Sequence, residues 1–186
     1  MTTFAEKIVA VDRQLSEAKV DHAFGGAICL GYHIESPRAT VDIDVNVSVE
    51  PRRARFVLAA LPHGVAWGDA DVRQIARDGQ ARVFWHGTPI DLFFPQHDLH
   101  GVVRSRVERV PFAGTAIPIL SATDLAIFKA LFDRPKDWVD IDAMVEYGEV
   151  DMAEVEAWLV RLVGPGDRRV KRWQGIVGGE AGTEKS

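Results

Sequence analysis

The sequence predicts an α+β fold: a mixed sheet flanked by helices up to about residue 120, then a helical C-terminal part. Three observations predict it. Residues 41–49, VDIDVNVSV, alternate strictly between apolar and polar side chains, the period of a strand with one covered face. ARVFWHGTPIDLFF reads as a hairpin, two β-rich runs around a short turn at His86 to Thr88. From Ser121 the apolar spacing becomes helical, and the next segments end at glycines.

Taken in order, residues 3–19 space Phe4, Ile8, Val11 and Leu15 as an amphipathic helix. His22 to Phe24 is a short extended piece that runs into Gly25-Gly26, and AICLGY after it supports one or two helical turns. The strand at 41–49 follows. Pro51 opens a helix, at a position where its missing N–H costs nothing. DADVRQIARDG is another helix, with an acidic start and a glycine stop. After the hairpin, residues 107–112 and 115–120 read as two strands around Ala113-Gly114. Ser121 caps the helix SATDLAIFKALFD; PKDWVDIDAMVEYG and DMAEVEAWLVRLVG are two more, and DRRVKRWQGIV a last one. Asp133 is the expected cap of the helix after Pro135. The expected organisation is a core over 1–120, a helical subdomain over 121–177 packed on it, and a polar, disordered tail over 178–186.

Composition narrows the function classes. The chain has 186 residues, 47% of them hydrophobic, enough for an ordinary core. Its net charge of -5 supplies no global field toward DNA or an anionic membrane, so a nucleic-acid partner needs a local basic patch. One cysteine, Cys29, excludes an internal disulfide framework and a two-cysteine zinc site. No apolar run has the length of a membrane helix and no signal-peptide core is present, so the expectation is a cytoplasmic protein without a membrane partner. The six histidines form no tight ligand pair; His97 and His100 are expected at the surface of a loop. Walker and Gly-x-Ser-x-Gly patterns are absent.

Three features carry chemistry. Glycines at 25 and 26 let backbone N–H groups approach an anion, although a Gly-Gly pair alone describes a plain turn equally well. Asp42 and Asp44, two apart on a strand, point to the same face, where two carboxylates repel unless a cation lies between them. Magnesium favours such oxygen donors together with phosphate oxygens; a solvated strand face is the alternative. Asp91 is a lone acid in an apolar run. A strand beside the first would bring it to the pair, and three carboxylates can hold two divalent ions for in-line attack on a phosphoryl group. Lys129 lies in an apolar helix, as a buried cation or one that snorkels to the surface. Asp137 and Asp140 follow near the start of the next helix, where they also complement its dipole.

The run GGAICLGYHIESPRATVDIDVNV, followed by PIDLFF, resembles the nucleotidyltransferase superfamily built on a polymerase-β-type palm. Arg38-Ala39-Thr40 ahead of Asp42-Ile43-Asp44, and FKALFDRPKDWVDIDAMV downstream, resemble more closely the AbiEii/MenT type of bacterial toxin nucleotidyltransferase. That resemblance covers about residues 22–147 and implies a nucleotidyltransferase-type fold. It further implies that Gly25 and Gly26 hold a nucleoside triphosphate by main-chain N–H groups. Arg38 and Thr40 would border the phosphates, and Asp42, Asp44 and Asp91 would ligate Mg²⁺ or Mn²⁺. Lys129 would neutralise triphosphate charge, and Asp137 or Asp140 would orient Lys129 or the wall of the base site.

For the acceptor, arginine supplies 16 of the 22 basic residues, in clusters at 52–55, 104–109 and 161–172, the last with Trp173. Arginine beside an aromatic suits single-stranded RNA, while acids nearby would make these merely solvated faces. The favoured expectation is an NTP-dependent enzyme acting on a tRNA 3′ end, the toxin of a pair with a cognate antitoxin. A transferase for a small hydroxylated molecule such as an aminoglycoside, or a non-catalytic nucleotide-binding protein of the same fold, are the alternatives.

Overall fold

The computed structural model describes residues 2–35 and 39–180. Two compact units divide them. Of the described residues, the first comprises 2–29 and 39–120, and the second 30–35 and 121–180.

The first unit holds the whole seven-stranded sheet. In chain order its elements are α1 (Phe4–Glu17), β1 (His22–Phe24), β2 (Ile43–Val47), α3 (Ala54–Ala59), β3 (Val65–Ala66), α4 (Asp69–Asp78), β4 (Gln80–Trp85), β5 (Thr88–Phe93), α5 (Leu99–Val103), β6 (Glu108–Phe112) and β7 (Thr115–Ile119); α2 (Gly26–Leu30) follows β1. The strands lie in the order β3-β4-β5-β2-β1-β7-β6. β2 runs parallel to β5, and β1 parallel to β7; the remaining pairs are antiparallel.

Alternation decides which side chains are buried. Ile43 and Val45 of β2 stand beside Ile90 and Leu92 of β5, and all four are fully buried. α1 packs against β1 and β7, and α4 against β4. Thr3 starts α1 with a reciprocal cap, its hydroxyl accepting from Glu6 N–H while the Glu6 carboxylate accepts from Thr3 N–H. Lys7 ties that helix to the hairpin by donating to Trp85 O and Thr88 Oγ1.

Several expectations change. The strand at 41–49 is shorter, because sheet pairing covers only Ile43–Val47, and Val41 is 72% exposed. His100 is buried in α5, and only His97 of that pair is at the surface. The two-residue β3 and the helix α5 gave no periodic signal.

The second unit contains α6 (Ala122–Phe132), α7 (Pro135–Tyr147), α8 (Met152–Val163) and α9 (Arg168–Glu180). Trp138, Ile141, Met144, Leu159, Val170 and Trp173 form much of its core. Ser121 caps α6 by accepting from Asp124 N–H. Asp133 ends α6 in a left-handed conformation, where it was expected to cap α7; its carboxylate accepts from Trp138 Nε1 at 2.8 Å. α9 continues through Gly178 and Gly179 to Glu180, past the expected start of the tail at 178, and residues 181–186 lie outside the described residues. No helix among the described residues is long and apolar enough to cross a membrane.

Candidate functional site

On one face of the sheet, a transverse row brings three of the candidates together. Asp44 on β2 is the register partner of Asp91 on β5, and Asp91 is the register partner of Arg82 on β4. Neighbours in register share a face, with adjacent strands about 4.8 Å apart. Gly25 extends the row, its N–H donating to Asp44 O at 2.9 Å. Asp42 precedes β2, two residues before Asp44. The Thr40 hydroxyl fixes its backbone, accepting from Asp42 N–H at 3.2 Å. Arg38 lies outside the described residues.

The glycines matter here by their missing side chains. A Cβ on Gly26 would stand 1.9 Å from Asp44 Oδ2, and Gly26 has φ +52°. One on Gly25 would stand 2.7 Å from Asn46 Nδ2. The turn is therefore moulded around β2, and the Asp44 carboxylate lies against the Gly26 backbone. The Gly25 amide is engaged by Asp44 O, whereas no backbone hydrogen bond of the Gly26 amide is seen among the loop contacts of the described residues.

Arg82 is the residue the sequence reading missed. Its Nε lies 2.7 Å from Asp91 Oδ1 and its Nη2 2.7 Å from Asp91 Oδ2, a two-pronged fork. The same Nη2 is 3.5 Å from Asp42 Oδ2. The hydrogen bond to Asp91, with the charges of Asp91, Asp42 and Asp44, raises the guanidinium pKa further above its ordinary value, so the group stays positive. Among the described residues, no group of three or more His, Cys, Asp or Glu side chains is arranged to hold a metal ion. Asp42 and Asp44 nevertheless offer the oxygen-only donor set that magnesium prefers.

In the second unit the sequence-predicted residues also meet. Lys129 is 4% exposed, with Nζ 2.6 Å from Asp140 Oδ2 and 3.8 Å from Asp137 Oδ1. Asp137, fully buried, accepts from the Arg134 amide and from its guanidinium at 2.6 and 3.0 Å. Lys129 is thus a paired cation inside the helical unit and not a snorkelling one.

Each arginine cluster is paired in part. Arg52 pairs with Glu50, Arg55 with Asp69, Arg104 with Asp21, Arg168 with Asp133 and Arg169 with Asp167. The Arg169 side chain and amide hold the Asp167 carboxyl down at about 2. Trp173 is fully buried, its Nε1 donating to Met152 O, so it offers no stacking surface to a base.

No family model matches the chain, and no curated protein matches it in sequence. Solved structures do match. An antigenic nucleotidyltransferase-like protein from Paracoccidioides brasiliensis aligns at 15% identity and TM-score 0.50, over 90% of this chain and 92% of that one. The antibiotic-resistance factor ANT(2″)-Ia aligns in solution at 12% identity and TM-score 0.53, over 100% and 97%. Its crystal structure with adenylyl-2″-tobramycin aligns at 12% identity and TM-score 0.56, over 92% and 97%. What the likeness shows is the fold: a mixed sheet flanked by helices, of nucleotidyltransferase type.

Proposed function

We propose that the chain transfers a nucleotidyl group from an NTP to a hydroxyl acceptor. The observation that carries this reading is the row itself: Asp44 and Asp91 side by side on parallel strands, with Asp42 two residues ahead of Asp44 and a glycine turn moulded against Asp44. Asp42 and Asp44 are the carboxylates that would hold Mg²⁺ or Mn²⁺. Such an ion, when bound, polarises phosphoryl oxygens and lowers the pKa of an attacking hydroxyl. The chain's own part is positioning: Gly26 lets a phosphate approach the backbone, and Arg82 adds a fixed positive charge beside the acids.

For the acceptor, the resemblance to AbiEii/MenT toxins supports a tRNA 3′ end and a cognate antitoxin as partner. A second reading has its own support: ANT(2″)-Ia, a fold neighbour, is seen with adenylyl-2″-tobramycin, and five of the clustered arginines are paired with acids while Trp173 is buried. Incubating the chain with each labelled NTP and Mg²⁺, plus total tRNA or an aminoglycoside, decides. Label on tRNA supports the toxin reading, and label only on the aminoglycoside the small-molecule reading. Nucleotide binding with no label on either points to a non-catalytic nucleotide-binding protein.

A further inference from the structure

A polar cavity lies at the end of the strands away from the glycine turn. β2 runs from Asp44 to Val47, the register partner of His22 on β1, and Ser48 follows. At about 3.3 Å per residue, Ser48 is about 13 Å along the chain from Asp44. The cavity there has a volume of about 530 Å³, within the range of small-molecule sites. The last turn of α1, the starts of β1 and β6 and the end of β7 contribute to its walls, all within the sheet unit. Three lining side chains are cationic, Lys19, Arg104 and Arg109, against one acid, Asp21. Arg104 is paired with Asp21. Arg109 gives Nη2 to the Ala116 carbonyl, a neutral acceptor, which leaves its charge uncompensated and its other N–H groups available. Lys19 follows α1 in a left-handed conformation and is exposed, with no acid or side-chain hydrogen bond among the described residues. The α1 carbonyls that would repel an anion are covered, Gln14 O by the Ala18 amide, Leu15 O by that of Val20 and Ser16 O by that of Lys19.

We propose that this cavity binds the phosphate group of a small phosphorylated molecule, with Lys19 and Arg109 supplying the charge and the hydroxyls of Ser16 and Ser48 further hydrogen bonds. A phosphate monoester carries close to two negative charges and three strong acceptor oxygens. The arginine fork suits such oxygens, and lysine adds a compact point charge. The volume leaves room for a body of pentose size beyond the phosphate. Asp21 opposes the anion, and its pairing with Arg104 dampens that repulsion. The site stands apart from the row of Asp44, Asp91 and Arg82, and it does not depend on the nucleotidyl-transfer reading.

The test is a nitrogen–proton NMR titration of the full-length chain in EDTA at about pH 7.5, where a phosphate monoester is mostly dianionic. The probes are a pentose monophosphate, inorganic phosphate and the unphosphorylated pentose. Saturable shifts of the Lys19, Ser48 and Arg109 amides are expected with the monophosphate, weaker binding with inorganic phosphate, and no shifts with the pentose. Lys19→Gln and Arg109→Gln, both at exposed positions, are expected to fold and each to weaken binding by about fivefold. Asp21→Asn, also exposed, removes the opposing acid and is expected to tighten binding by about threefold, a change of sign that loss of structure does not produce. No saturation with the monophosphate, an equal response to the pentose, or tighter binding of inorganic phosphate would each overturn the proposal. So would shifts centred on Gly26 and Asp91 instead of Lys19, unchanged affinity in both cation variants, or weaker binding in Asp21→Asn.

Discussion

Asp140 Oδ2 lies 2.6 Å from Lys129 Nζ, and both side chains are buried within the helical unit. Breaking such a pair leaves an uncompensated buried charge, a loss of about 3 kcal/mol. Lys129→Met is therefore expected to lower the urea midpoint strongly, and the double variant Lys129→Met, Asp140→Leu to regain at least half of the loss. If Lys129 also meets triphosphate, the double variant stays weak in NTP affinity while its stability recovers. Equal recovery of both returns Lys129 to a purely structural part.

Asp42 presents the opposite case. Its side chain is 37% exposed and lies outside any regular element, so Asp42→Asn is expected to change stability by less than about 0.5 kcal/mol. Transfer to acceptor should fall by about 10²-fold or more, because a metal-holding charge is lost. Radiolabel transfer and a melting curve on the same preparation give both numbers, and full activity would take Asp42 out of the site.

Gly26→Ala tests the moulding of the turn. The new methyl would collide with the Asp44 carboxylate, at a backbone angle that L side chains rarely adopt. A destabilisation of about 1–3 kcal/mol is expected, together with weakened Mn²⁺ binding as Asp44 is displaced. Unchanged Mn²⁺ affinity would show that Asp44 holds its place without the glycine.

His100 gives the fold a pH dependence. Burial pushes its pKa down to about 4, with the His97 backbone hydrogen bond opposing. Between that value and the ordinary value near 6.5, the unfolded chain carries a proton that the folded chain lacks. The stabilisation is therefore complete above about pH 6.5 and declines as the pH falls toward about 4, by about 3 kcal/mol at most. His100→Gln should flatten this part of the curve, read as the difference in urea midpoint between pH 7 and about 4.5. An unchanged slope would assign the dependence to other groups.

Part of the arrangement of this candidate site could be read along the chain, and the rest was not legible for identifiable reasons. The alternation around Asp42 and Asp44 and the apolar setting of Asp91 singled out acids that the sheet brings together around Arg82. The Arg82–Asp91 pair was also legible: a two-residue turn at His86-Gly87 makes Trp85 and Thr88 the first pair, and three steps outward stand Arg82 and Asp91. By contrast, the placement of Asp91 beside Asp44 depends on parallel pairing of β5 with β2, which no local spacing encodes. Val41 shows why the strand was overdrawn, since alternation continued where hydrogen-bonded partners did not. Trp173 shows the limit of composition: an aromatic among arginines looked like a stacking platform and is a core residue.

The membership of residues 30–35 in the helical unit bears on how the chain can be cut. Leu30 is fully buried, and His33 Nδ1 lies 2.9 Å from Glu149 Oε2, so this strip draws its partners from sequence more than a hundred residues away. An expression fragment ending at Leu120 would carry the strip without those partners and leave an apolar stretch open to aggregation. The sheet region is thus not severable at the one place where the fold class changes, and work on isolated pieces would have to begin by removing or replacing that stretch.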